Sequence, residues 1–140
     1  MSTQPSGYEL AIVPEVREWL HGLRRTDLTT LTLVSKAITR LRRDGPALGR
    51  PLVDTLTQNS SRIRRKKRVQ SRYPNMKELR PGSSGSSEVR ILFIFDPQRR
   101  AVLLVAGDKA GNWAGWYEEA IPLADARYED YLKALEANGS

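Results

Sequence analysis

Two apolar runs constrain this chain more than any other feature. Val89 to Phe95 reads Val-Arg-Ile-Leu-Phe-Ile-Phe, and Ala101 to Ala106 reads Ala-Val-Leu-Leu-Val-Ala. Asp96-Pro97-Gln98-Arg99 between them carries the chemistry of a tight turn. The pair is a β-hairpin whose near-continuous apolarity requires cover on both faces. The rest of the chain must therefore supply two layers around a central hairpin.

The N-terminal part supplies one of them. Tyr8 to Val13 reads as a short strand. Val16, Trp19, Leu20 and Leu23 then recur at helical spacing behind Pro14, which suits a first helical turn. This helix is expected to end near Arg25. Thr26 or Asp27 caps a second helix whose stripe is Leu28, Leu31, Val34, Ile38 and Leu41, stopped by Gly45-Pro46. Pro46 to Leu56 reads as irregular chain, and Gln58 to Pro74 as an exposed loop. Met76 to Arg80 is a strand ended by Pro81, and Pro81 to Ser87 a flexible turn. Asn112 opens a helical turn through Trp113, Trp116 and Tyr117. Pro122 starts a last helix to about Ala137, with Ala124, Tyr128, Tyr131 and Leu135 on its apolar face. The expected architecture is a single α+β domain over residues 1–140: an N-terminal strand and helical hairpin packed on a small antiparallel sheet, with a C-terminal helix.

Charge is distributed unevenly. Arg62 to Arg80 holds nine basic residues and one acidic residue, Glu78, while the remainder has 14 basic and 15 acidic residues. One strongly positive segment on a near-neutral fold attracts polyanions, nucleic acid first among them, although an acidic protein would answer the same charge. Arg62, Arg64, Arg65, Lys66, Lys67, Arg68, Arg72 and Lys77 are the candidate RNA-contacting residues. The chain has no cysteine, so disulfides and thiolate metal sites are excluded. Its single histidine, His21, falls on the outer face of the first helix. No metal-ligand motif, P-loop or nucleophile elbow is present, and neither a metal nor a cofactor is expected. Met1 to Gly7 is polar and no apolar run is long enough for a bilayer, so a cytoplasmic protein is expected.

The remaining chemistry lies on strands. Alternation in Met76 to Arg80 sends Lys77 and Leu79 to one face, Glu78 and Arg80 to the other. Arg90 interrupts an apolar strand, where a charge is rarely placed unless paired or used. Lys109 follows the returning strand. Arg80, Arg90 and Lys109 on one sheet face would suit a phosphate. A cross-strand ion pair with Glu78 accounts equally well for Arg90. Solvated side chains account for Arg80 and Lys109, and packing for Trp113, Trp116 and Tyr117.

Met76-Lys-Glu-Leu-Arg80, Val89 to Asp96, Ala101 to Lys109 and Trp116 to Tyr128, with Val13 to Leu23 and Gly45 to Val53 upstream, resemble the RelE/HigB superfamily of type II toxins. The phage-derived HigB-like branch is the most similar. The resemblance covers nearly the whole chain outside the first residues and Thr57 to Tyr73. It implies a microbial-ribonuclease-type fold and a metal-independent endoribonuclease that cleaves mRNA at the ribosome and so inhibits translation. It also implies a cognate antitoxin, often a helix-turn-helix protein. Carried over by position, the family's site residues are Arg80, Arg90 and Lys109, which as a nuclease would hold the phosphate. With no histidine placed to act as the base, Glu78, Asp108 and Tyr117 are the alternatives for that role. The basic insert over 57–74 departs from the family pattern. Two other readings stand beside this one: a ParE-like gyrase-poisoning toxin on the same fold, and a non-catalytic basic nucleic-acid-binding module.

Overall fold

The structure is a computed structural model, and it describes residues 7–56, 70–83 and 85–139. In chain order the elements are β1 (Leu10–Ile12), α1 (Pro14–Thr26), α2 (Leu28–Asp44), a 3-10 turn (Gly45–Ala47), β2 (Val53–Thr55), β3 (Lys77–Leu79), β4 (Val89–Phe95), β5 (Ala101–Asp108) and α3 (Trp113–Gly139). The strands form one sheet in the order β1-β5-β4-β3-β2. The fold is α+β, as expected, but the sheet is mixed: β1 runs parallel to β5, and the other pairs are antiparallel. The parallel pair follows from the helical hairpin, which carries the chain back across the sheet after β1.

Pleating divides the core in two. Val89, Ile91 and Phe93 of β4 pack with Val16 of α1 and Val34, Ala37 and Leu41 of α2. Leu92 and Ile94 face the other way, against Tyr117, Ala120, Ile121, Ala124 and Tyr128 of α3. The central hairpin is thus covered on both faces, as its apolarity requires. The α3 residues follow helical spacing and form its buried stripe. The buried stripe of α2 is Thr30, Val34, Ala37 and Leu41. Leu28, expected on that stripe, is 64% exposed. Asp27 caps α2 by accepting from the Thr30 backbone N–H at 3.1 Å, so Leu28 falls in the first turn, beyond the sheet.

Two further expectations are corrected. Val53–Thr55, read as irregular, is an edge strand paired with β3. Three residues are too few for a period-two signal, and cross-strand pairing is what makes them a strand. Pro122, read as a helix start, lies inside one continuous α3. It sits on the exposed face of the helix, where water can meet the freed backbone carbonyl, while Tyr117, Ala120, Ile121 and Ala124 anchor both sides of it. Among the described residues, no helix is long and apolar enough to cross a membrane.

A β-bulge sets the geometry of one sheet end. Leu92 opposes Val105 and Phe93 opposes Leu103, which leaves Leu104 as an extra residue in β5. Leu104 and Val105 accordingly both pack on the α3 side. The pleat of β5 changes phase there, so Gly107, opposite Arg90, also meets α3. A Cβ built on Gly107 would come within 2.7 Å of the Trp116 indole Nε1, so the glycine lets the indole lie against the strand.

Candidate active site

The α3-facing side of β2, β3, β4 and the end of β5 carries an alternating series of charges. Arg50 Nη2 lies 2.9 Å from Asp54 Oδ2, and Arg80 Nη1 lies 3.3 Å from the same oxygen. Arg80 Nε is 3.6 Å and Arg90 Nε 3.8 Å from Glu78 Oε2. Arg90 Nη2 is 3.8 Å from Glu88 Oε1, and Lys109 Nζ is 3.1 Å from that atom. The register explains the series: Asp54 directly opposes Glu78 across β2 and β3. Two carboxylates so placed require cations between and beside them.

Depth orders these groups. The Glu78 side chain is 1% exposed and that of Lys109 is fully buried, whereas Arg80 and Arg90 are 21% and 11% exposed. The structure therefore brings Arg80, Arg90 and Glu78 together, with the two guanidinium groups above a buried carboxylate. Lys109 joins them from below, through Glu88, and does not face solvent. The Tyr117 hydroxyl donates to Glu78 Oε1, and its ring lies 5.8 Å from Lys109 Nζ. Burial, reinforced by the negative charge of Glu78, pushes the Tyr117 hydroxyl above the ordinary tyrosine range. Burial lowers Lys109 below the ordinary ammonium range, and the Glu88 carboxylate opposes that shift.

The guanidinium groups are not saturated by these pairs. Charge-assisted N–H to carboxylate bonds close to about 2.7–2.9 Å. The contacts of Arg80 and Arg90 to the three carboxylates all exceed this. Arg90 Nη1 donates to the Val89 carbonyl at 2.8 Å, but its buried Nε makes no hydrogen bond among the described residues. A buried donor left so is costly, and Glu78 Oε2 at 3.8 Å offsets that cost through charge alone.

The other sequence candidates fall elsewhere. Lys77 Nζ is 3.5 Å from Thr55 Oγ1 on the side of the sheet that faces α1 and α2, away from Glu78. Arg72 is an ion-pair partner of Glu129 on α3, and its backbone N–H donates to Asp125 at 2.8 Å. Ser71 also donates to Asp125, and the Tyr73 and Tyr128 rings meet edge to face. The C-terminal end of the insert, expected to be exposed loop, is thus docked on α3. Arg62, Arg64, Arg65, Lys66, Lys67 and Arg68 lie outside the described residues. Asp108 accepts from the backbone N–H groups of Glu88 and Ala110 at 2.9 and 3.0 Å, which holds the turn that carries Lys109. Sequence reasoning missed Asp54 and Glu88. Neither sits in a run with a readable period, and only the strand register brings them to the site. Among the described residues no cluster of His, Cys, Asp and Glu is arranged to hold a metal ion.

The chain is similar to known proteins across this whole arrangement. Residues 21–129 match the family described as "Phage derived protein Gp49-like (DUF891)". Over 126 residues the chain is 49% identical to a Mycobacterium tuberculosis (strain ATCC 25618 / H37Rv) protein named "Putative toxin HigB2", covering 90% of this chain and 55% of that protein. The chain thus spans about half the length of that relative. It is 43% identical over 128 residues to "Putative toxin HigB3" of the same organism, covering 91% of this chain and 96% of that protein. No solved structure matches the chain significantly. The chain belongs to the phage-derived Gp49-like family and is a HigB-like member of it.

Proposed function

We propose that this protein is the toxin of a type II toxin–antitoxin system, a ribosome-dependent endonuclease of mRNA that inhibits translation in the cytoplasm and is neutralised by a cognate antitoxin. The names of its relatives support the toxin assignment. The observation that carries the chemistry is the pair of partly exposed guanidinium groups, Arg80 and Arg90, held 3.6 and 3.8 Å from buried Glu78.

In this reading a phosphodiester seats against Arg80 and Arg90. The 2′ oxygen of one nucleotide forms a bond to its own 3′ phosphorus, and the bond from phosphorus to the 5′ oxygen of the next nucleotide breaks. The products are a 2′,3′-cyclic phosphate and a 5′ hydroxyl. The 2′ proton passes to the carboxylate of Glu88, 40% exposed at the rim of the series, and the departing 5′ oxygen takes a proton from water. Charge gathers on the phosphoryl oxygens in the transition state, where two preorganised guanidinium groups are most effective. Glu78, Tyr117 and Lys109 are too deeply buried to meet RNA and act as positioning residues. Tyr117 stays protonated and orients Glu78, which holds both arginines; Lys109 holds Glu88. Placement within the ribosome supplies the remaining orientation.

Expression of the chain arrests growth in this account, and Arg80→Ala and Arg90→Ala each relieve the arrest while circular dichroism stays native. Loss of a contact of this kind costs roughly 10²–10³ in rate. Full toxicity in both folded variants overturns the assignment. Toxicity that persists without mRNA cleavage and with gyrase inhibited points to the ParE-like alternative.

A further inference from the structure

Arg80 belongs to more than the charge series. It also lines a cleft of about 840 Å³ between the C-terminal turns of α2, the 3-10 turn and the segment entering β2. Arg40, Arg43 and Arg50 line the cleft with Arg80, and Leu48 and Leu52 are among its apolar lining. Asp44 is the one carboxylate of the lining, and Asp54 beyond it pairs with Arg50 and Arg80, so four arginines meet two carboxylates. Arg40 and Arg43 share Asp44 at 3.4 and 3.1 Å, and their side chains are 49% and 63% exposed. One carboxylate cannot neutralise two guanidinium groups, so the cleft keeps an excess of positive charge beside the site.

We infer that this cleft binds the phosphate backbone of the RNA strand flanking the scissile nucleotide, with Arg40 and Arg43 each contacting a phosphate. The inference rests on the nuclease reading of Arg80 and extends it by a substrate-tracking surface. Three observations favour a single nucleic-acid strand. The cleft shares Arg80 with the proposed phosphate site. Its cations are arginines, whose planar forks match phosphate oxygens. Its apolar lining, Leu48 and Leu52 among it, offers contact for the sugars between successive phosphates. Neither Arg40 nor Arg43 is in the series around Glu78, so they can be changed without touching the proposed chemistry.

The test uses the full chain and a single-stranded RNA carrying one 2′-deoxy nucleotide at a mapped cleavage position, which cannot be cut there. Fluorescence anisotropy gives affinity across a salt series for wild type, for Arg40→Gln/Arg43→Gln, and for the control Arg24→Gln/Arg25→Gln. The control removes the same charge from exposed positions in the last turn of α1. Each single-strand phosphate contact contributes about 0.7 to the slope of log affinity against log salt. The double variant should therefore lose about 1.4 from that slope, which amounts to roughly sevenfold between about 50 and about 200 mM salt. The control should keep the wild-type slope. Equal slopes in all three proteins, or no salt-dependent binding by wild type, overturn the inference. So does a variant that binds RNA normally but releases a co-expressed antitoxin, which would assign the cleft to an acidic protein segment. Cleavage is scored separately: a wild type that binds through Arg40 and Arg43 yet cuts no mRNA defeats the nuclease reading and keeps the cleft.

Discussion

The bond between Tyr117 and Glu78 joins α3 to the sheet, and its energy is accessible by a double-mutant cycle. Glu78→Met keeps the side-chain volume and removes both charge and acceptor. Removing one partner of a buried ion pair costs about 3–5 kcal/mol when the other charge is stranded. Here Arg80 retains Asp54 at 3.3 Å and Arg90 retains Glu88 at 3.8 Å, and both guanidinium groups are partly exposed. The expected loss is therefore lower, about 2–4 kcal/mol. Tyr117→Phe removes only the hydroxyl and strands one oxygen of a carboxylate that is 1% exposed. A hydrogen bond to a charged group is worth about 1.5–3 kcal/mol. The double variant removes both partners of that bond, so it should cost less than the sum of the single losses by about 1.5 kcal/mol or more. Urea unfolding followed by circular dichroism measures all four proteins, with the denaturant slope unchanged. Additivity within about 0.5 kcal/mol would show that the two groups do not interact and would refute the positioning role given to Tyr117.

Gly107→Ala should destabilise the fold by about 1–3 kcal/mol, because its Cβ would fall 2.7 Å from Trp116 Nε1; a loss below about 0.5 kcal/mol by urea unfolding would show that the indole moves aside freely. Asp125→Ala should release the end of the insert, because this buried carboxylate accepts from Ser71 and from the Arg72 N–H; faster amide exchange at Arg72 and Tyr73 with the sheet unaffected is the expected result. Alkaline stability should also fall. Tyr117 and Tyr131 are raised above 10.0 in the folded state, chiefly by burial, so the folded chain keeps protons that the unfolded chain releases. Their contribution is complete below pH about 10 and is lost as pH rises toward the folded values, at up to about 1.4 kcal/mol per pH unit for each group. Lys109 acts in the opposite sense just below 10.5, since its folded value is lowered, so Tyr117→Phe should lessen the alkaline loss visibly and Lys109→Met should not.

Much of this fold was legible because its strongest elements announce themselves locally. The apolar hairpin of β4 and β5, the caps and stops of α1 and α2, and the strand carrying Glu78 all follow from short-range pattern. Arg90 was legible as an anomaly, a charge inside an apolar strand. What escaped depends on distant pairing. Val53–Thr55 is a strand only because β3 lies beside it. Pro122 reads as a helix start until the packing of Tyr117 and Ala120 carries the helix through it. The bulge at Leu104 leaves no mark in composition, yet it turns Gly107 toward Trp116 and brings Lys109 to the buried side of the site. Depth was the other blind spot. Arg80, Arg90 and Lys109 look equivalent in sequence, but Lys109 is sealed beneath Glu88 while the two arginines reach the surface. The same holds for the carboxylates, where Glu78 is buried and Glu88 lies at the rim.

The central claim is that Arg80 and Arg90 form the phosphate site of an mRNA endonuclease. Its most direct test is transcriptome-wide mapping of mRNA 5′ ends after brief induction of wild type, Arg80→Ala and Arg90→Ala at matched protein levels. The account predicts new 5′-hydroxyl ends within translated regions for wild type, abolished when translation initiation is blocked, and reduced roughly 10²–10³-fold in both variants. New ends of equal abundance in wild type and both folded variants, or growth arrest by wild type with no new ends at all, would contradict it.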